Sequence, residues 1–324
     1  MPTISTESTS TNPADPAGPT DPAGPTDPAD PTDPAGPAGP TGRPARPAAG
    51  TRRRWIKPAV TVLAVSTVTL LAGVSTLAYL AFLRSPSHSP QEFLDRGRGS
   101  GTNQVVVAAG ASMTQASLSA DWVGALRHRF TSAGYELVNA GNNGDTTADL
   151  LKRLDDDVVA CDPDVVTLLV GTNDVLNGVP LAQFQANLTS IFDRLDAGTH
   201  ARVAILSLPP LGEDLDSARN RELARYNSII EQTAAARGAT YLPLNETLTS
   251  LVRQHGGSAP PYDFSFGLTF RIAFQRYVLR SDWDDIARGN DLRVLTDHVH
   301  LSDRGGAVVT DLVANWLDHG GQQR

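Results

Sequence analysis

Val105-Val106-Val107-Ala108-Ala109-Gly110-Ala111-Ser112-Met113-Thr114 is a run of β-branched and small apolar residues that ends in Gly and then Ser. β-branched residues fit a pleated, buried strand, and Gly permits the tight turn that ends one. The stretch reads as a strand over Gln104–Ala109 with a hydroxyl at its carboxyl end. On open α/β sheets, ligands bind outside the carboxyl ends of the strands. Ser112 therefore stands where chemistry takes place, although a Ser at a strand end is by itself more often only a helix N-cap.

Outward from this strand, short apolar runs alternate with helical patterns. Trp122, Val123, Leu126 and Phe130 fall at helical spacing and predict a helix over Ser119–Ser132. Glu136–Asn139 reads as strand two and Thr147–Val159 as a helix with Leu150, Leu151 and Leu154 on one face. Val165–Val170 is apolar on both faces, as in a covered parallel sheet. Leu181–Leu195 is helical, Val203–Leu208 is strand four, and Ser217–Arg237 is a long helix stopped by Gly238. Thr240–Leu244 is strand five, and Ser302 caps a last helix over Arg304–Leu317. Repeated βα units predict a five-stranded parallel sheet with helices on both faces, a three-layer αβα sandwich over residues 103–320. Residues 254–295 break the rhythm with Pro260-Pro261 and several aromatics; they are an insertion with its own small core, or a lid over the site.

Four motifs fall at strand ends or before the last helix: Gly110-Ala111-Ser112; Asn139-Ala140-Gly141-Asn142-Asn143-Gly144-Asp145; Gly171-Thr172-Asn173-Asp174; and Asp297-His298-Val299-His300. A parallel sheet converges the first three on one edge. Together they hold the parts that acyl transfer needs. Ser112 is the candidate nucleophile and His300 the candidate base, since a Ser hydroxyl attacks only once its proton is taken. Asp297 is placed to fix the His300 tautomer. The N–H groups of Ser112 and Gly144 and the side-chain amide of Asn173 are candidates for an oxyanion hole. His298 is a rival base. Two His at i and i+2 without a third cluster make a poor metal site, and none is expected. Asp145 is read as stabilising its loop or capping the Thr147 helix, and Asp174 as structural.

In order and spacing these motifs resemble the SGNH, or GDSL-type, hydrolase family across Val105–Leu317. The resemblance places the family's nucleophile on Ser112, its oxyanion Gly on Gly144, its oxyanion Asn on Asn173, and its Asp and His on Asp297 and His300, which favours His300 over His298. It implies a flavodoxin-like sandwich and hydrolysis of esters or thioesters with no cofactor or metal. One position departs: Ala111 stands where the family usually has Asp before the nucleophile. Two other readings remain beside hydrolysis, an extracytoplasmic O-acyltransferase and a non-catalytic scaffold that binds a glycan or a partner.

The amino-terminal part is of another kind. Residues 1–54, rich in Pro, Ala, Thr, Gly and Asp, lack the apolar bulk for a core and are read as a disordered tail. Pro58–Leu83 has no charged residue, is long enough for a transmembrane helix, and follows Arg52, Arg53, Arg54 and Lys57. The positive-inside rule puts the amino-terminal tail in the cytoplasm and the domain outside, on a single-pass anchor. Residues 84–102 read as a polar stalk. Up to Lys57 the chain carries six acids and six bases, so the net charge of −8 lies in the remainder. An acidic domain argues against nucleic acid as a partner. The expected substrate is a small-molecule, lipid or glycan ester.

Overall fold

The computed structural model describes residues 53–256 and 259–320. Five parallel strands, β1 (Gln104–Gly110), β2 (Tyr135–Gly141), β3 (Val165–Leu169), β4 (Arg202–Leu206) and β5 (Thr240–Leu242), form one sheet in the order β2-β1-β3-β4-β5. The direction of winding reverses between β1 and β3, so their carboxyl ends flank the crevice where such sheets place a ligand. Gly110 stands level with Gly141 of β2 and Leu169 of β3. Successive strand residues point to opposite faces, and both faces are covered. Val105, Val107 and Ala109 face one core and Val106 and Ala108 the other.

The helices are α1 (Arg53–Ala78), α2 (Pro90–Arg96), α3 (Ser112–Gln115), α4 (Trp122–Arg129), α5 (Thr147–Asp157), α6 (Thr172–Leu176), α7 (Leu181–Gly198), α8 (Ala218–Arg237), α9 (Leu244–His255), α10 (Phe266–Tyr277), α11 (Trp283–Gly289) and α12 (Asp303–Gly320). α5, α7 and α8 cover one face through Leu154, Leu188 and Ile230. α4, α9 and α12 cover the other through Leu126, Leu248 and Val313. The expected αβα sandwich is therefore the fold.

Some boundaries differ from expectation, each for a local reason. The helix expected from Ser119 starts at Trp122, because Asp121 takes the cap by accepting from Gly124 N at 2.8 Å. Strand five stops at Leu242, and Leu244 already opens α9. Residues 84–102 are no loose stalk. They hold α2, whose Ser89 accepts from Glu92 N and whose Phe93 is buried in the core. Arg98 adds a 2.7 Å ion pair to Asp164, which also accepts from Val105 N. The sequence Ser89-Pro90-Gln91-Glu92 is a helix-start signature that announces this element.

α1 runs on through a π-helical turn, Tyr79–Leu83. Ala59–Leu83 is the one helical stretch among the described residues long and apolar enough to cross a membrane. The tail expected over residues 1–54 lies outside the described residues, save Arg53 and Arg54, which open α1.

Candidate active site

Ser112 begins α3, a four-residue helix pinned by the Ala111 carbonyl, which accepts from Thr114 N at 3.0 Å and Gln115 N at 2.9 Å. Ala in place of Asp at position 111 thus leaves the turn's backbone bonds formed. α3 lies hard against the end of β2: a Cβ on Gly141 would stand 2.2 Å from Gln115 N, so that position admits only glycine. Asn139 and Trp122 add side-chain bonds to the carbonyls of Thr114 and Met113.

The partner of Ser112 comes from the loop before α12. Asp297 Oδ1 accepts the backbone N–H of Val299 at 3.2 Å and of His300 at 2.8 Å, a self-made turn of the kind Asp favours. Its Oδ2 lies 2.7 Å from His300 Nδ1, and His300 Nε2 lies 2.9 Å from Ser112 Oγ. Asp297 is fully buried and His300 nearly so. Burial alone would raise the Asp297 carboxyl, but the facing His300 and the hydrogen bonds from its ring and from two backbone N–H groups outweigh this and hold it below the usual carboxylate value. An ionised Asp297 accepts from Nδ1–H and leaves Nε2 free to accept from the Ser112 hydroxyl. The rival His298 has φ of +69° and packs its ring 5.4 Å from that of Tyr262.

The opposite wall comes from β2 and β3. Asn142–Asp145 is a tight turn closed by Asp145 N on Asn142 O, and Gly144 carries its φ of +81°. Such a turn wants Gly at its third position. Asn173, in α6, donates from Nδ2 to the Asp145 carbonyl at 2.9 Å, and an amide nitrogen has a second N–H to give. Ser112, Gly144, Asn173 and His300 all line one cleft of about 360 Å³. Phe264, Phe266 and Thr269 of the 254–295 insertion line it too, with the Phe264 ring 6.0 Å from that of His300. Leu268, Ile272, Trp283 and Ile286 of the same segment share a small apolar cluster with Leu77, Ala81 and Leu118. A cleft of about 680 Å³ lies elsewhere, along Glu213, Arg253 and Arg288. Among the described residues, no hydroxyl paired with an imidazole lines it, whereas the cleft of about 360 Å³ holds the Ser112–His300 contact.

Several residues that hold this geometry were not foreseen. Arg153 of α5 pairs with Asp145 at 2.6 Å and donates to the carbonyls of Gly110 and Ala140, bracing the ends of β1 and β2. Glu213 Oε1 accepts the backbone N–H groups of Arg293, Val294 and Leu295, and Gly212 N donates to His298 O at 2.7 Å. Gln115 Oε1 accepts from Asn143 N beside Ser112. Asp174, expected to be structural, accepts from Thr147 N at 2.9 Å and from its hydroxyl, tying α6 to α5. Burial raises the Asp174 carboxyl against these bonds.

The GDSL-like lipase/acylhydrolase family model matches residues 107–308. The chain belongs to that family. The GDSL match starts inside β1 and ends inside α12, so it spans all four motifs. Among its curated relatives, "Esterase TesA" of Pseudomonas aeruginosa is 34% identical over 113 residues, covering 33% of this chain and 56% of that enzyme. An acetylxylan esterase of Geobacillus stearothermophilus is 29% identical over 145 residues, covering 40% of this chain and 65% of that enzyme. The chain thus matches less than two thirds of either relative. The crystal structure of the acetylxylan esterase AlAXEase superposes with a TM-score of 0.50 at 21% identity, over 66% of this chain and 99% of that one. At that identity the likeness shows the fold.

Proposed function

We propose that this GDSL protein is a serine hydrolase that cleaves carboxylic esters or thioesters through an acyl-enzyme on Ser112. The observation that carries the reading is the unbroken relay from Asp297 Oδ2 through His300 to Ser112 Oγ, with contacts of 2.7 Å and 2.9 Å. As Ser112 Oγ attacks the carbonyl carbon, its proton passes to Nε2, and Asp297 steadies the imidazolium. The oxyanion is received by the N–H groups of Ser112 and Gly144 and the Asn173 amide. Collapse expels the alcohol or thiol, which takes the proton from Nε2. Water then repeats the sequence on the acyl-enzyme, giving up its proton to Nε2, and Ser112 regains that proton as the acid departs.

Family membership and the esterase relatives support this activity class. The reading includes a single-pass anchor over Ala59–Leu83, with the amino-terminal tail cytoplasmic and the domain outside, supported by that stretch's length and the basic cluster before it. The test is turnover of 4-nitrophenyl acetate by the full chain. Ser112→Ala and His300→Ala should each lower kcat at least ~10³-fold with the circular dichroism spectrum unchanged. Retained turnover in both variants would remove the mechanism.

A further inference from the structure

One wall of the cleft does not come from the βα scaffold at all. Ala81 and Phe82, in the π-helical turn that ends the apolar helix, line the same cleft as Ser112 and His300. Ala81 is 1% exposed and packs, with Leu77, against Leu118, Ile272 and Trp283. A helix end leaves carbonyls without partners; here the active-site loops supply them. Asn143, next to Gly144, donates from Nδ2 to Phe82 O at 3.0 Å. Gln115, in the nucleophile's helix, donates from Nε2 to Arg84 O at 2.6 Å and accepts from Asn143 N. The Arg84 guanidinium lies 5.9 Å from the centre of the Tyr277 ring, whose hydroxyl donates to Ser117 O. The end of the helix and the loops around Ser112 are one bonded unit.

That unit sits at a defined depth. Twenty-five helical residues rise ~37 Å, more than the ~30 Å of hydrocarbon in a bilayer. The last turn, and the cleft with it, then lies at the boundary between acyl chains and water. The surface around the mouth suits that place. Of the cleft-lining residues, Phe266 is 75% exposed and Phe82 and Phe264 also face outward, and Leu83, next in the chain to Phe82, is 73% exposed. A water-facing surface rarely gathers so many large apolar side chains. Inside, Ala81, Phe82, Leu118, Phe264, Phe266 and Val299 make the apolar wall, and among the described residues no carboxylate, Lys or Arg lines it.

We propose that the cleft takes the acyl chain of a membrane lipid ester, admitted directly from the leaflet in which the helix ends, with Ala81 and Phe82 as part of the acyl wall. The proposal rests on the serine-esterase reading and on the membrane span. It replaces a substrate that diffuses in from water by one that slides in from the bilayer.

The test uses the full chain in phosphatidylcholine vesicles. Hydrolysis of 4-nitrophenyl palmitate carried in the bilayer is compared with that of 4-nitrophenyl acetate in the water. The expected palmitate-to-acetate ratio of kcat/KM exceeds ten, and Phe82→Asp and Phe266→Asp each lower that ratio at least tenfold. Both side chains are exposed, so the fold should survive, and fluorophosphonate labelling of Ser112 in the same vesicles reports an intact site. Ser112-dependent acetate turnover with a ratio at or below one, or a ratio that neither variant moves, overturns the proposal and leaves the esterase reading standing. Faster turnover of acetylated xylan than of the bilayer ester also overturns it. No Ser112-dependent turnover of any ester removes the esterase reading, and this proposal with it.

Discussion

Both carboxylate oxygens of Asp297 reach His300: Oδ2 meets its ring, and Oδ1 takes its backbone N–H together with that of Val299. Asp297→Asn keeps the shape but offers Nδ1 a donor, which favours the wrong tautomer. The expected loss is ~10⁴-fold in kcat at neutral pH, with a folded chain. Stability carries a second signature. Because the folded carboxyl is held below its usual value, the unfolded state binds the proton more readily. The stabilisation is complete above the unfolded value near ~3.9 and is lost as pH falls through the lower folded one. Urea midpoints of wild type and Asp297→Asn should therefore converge as pH drops from 5 to 2, in steps of about one unit. Asn173→Ala should cost ~10²–10³ in kcat with KM little changed. Residues of this kind were legible in the sequence because each sits in a short motif at a strand end. Gln115 and Asn143 were not, because the carbonyls they serve, in residues 81–84, are far away along the chain.

Between residue and fold, the loop that carries Asp297 and His300 has little secondary structure of its own. It is closed by the Leu295–Leu301 bridge and by Thr296 N on His300 O at 2.7 Å. Its approach is fixed from outside by Glu213, which follows β4 and is 5% exposed. Glu213→Ala would orphan up to three backbone donors, at ~1–3 kcal/mol for an unsatisfied buried group. The expected result is a lower urea midpoint at unchanged slope, a loss of ~2–4 kcal/mol in all, and lower kcat. Glu213→Gln, which keeps one acceptor oxygen, should recover most of both. The elements themselves were largely readable from apolar periodicity and caps, Ser217 and Gly238 around α8 being the clearest. The misreadings came where a local bond overrode the pattern. Ser119 bonds to Leu301 instead of entering a helix, and buried Pro90 and Phe93 hold residues 90–96 on the domain.

For the whole molecule, the strand order puts the loops after β1, β2 and β3 side by side, which is why three separated motifs meet. That much followed from βα alternation. What periodicity did not show is that the long apolar helix ends inside the domain's own packing, with Leu77 and Ala81 in a cluster with Leu268 and Ile272. A chain cut to residues 85–324 should therefore fold but self-associate, because that cluster loses its cover. Light scattering at micromolar concentration checks this, and a monodisperse monomer would count against the packing role of the helix end. The central claim is that His300 activates Ser112 as a nucleophile. Its most direct test is to treat the full chain and His300→Ala with a fluorophosphonate and to locate the adduct by peptide mass spectrometry. The account predicts an adduct on Ser112 in the first and almost none in the second. No adduct on a folded full chain, or an adduct indifferent to His300, would contradict it.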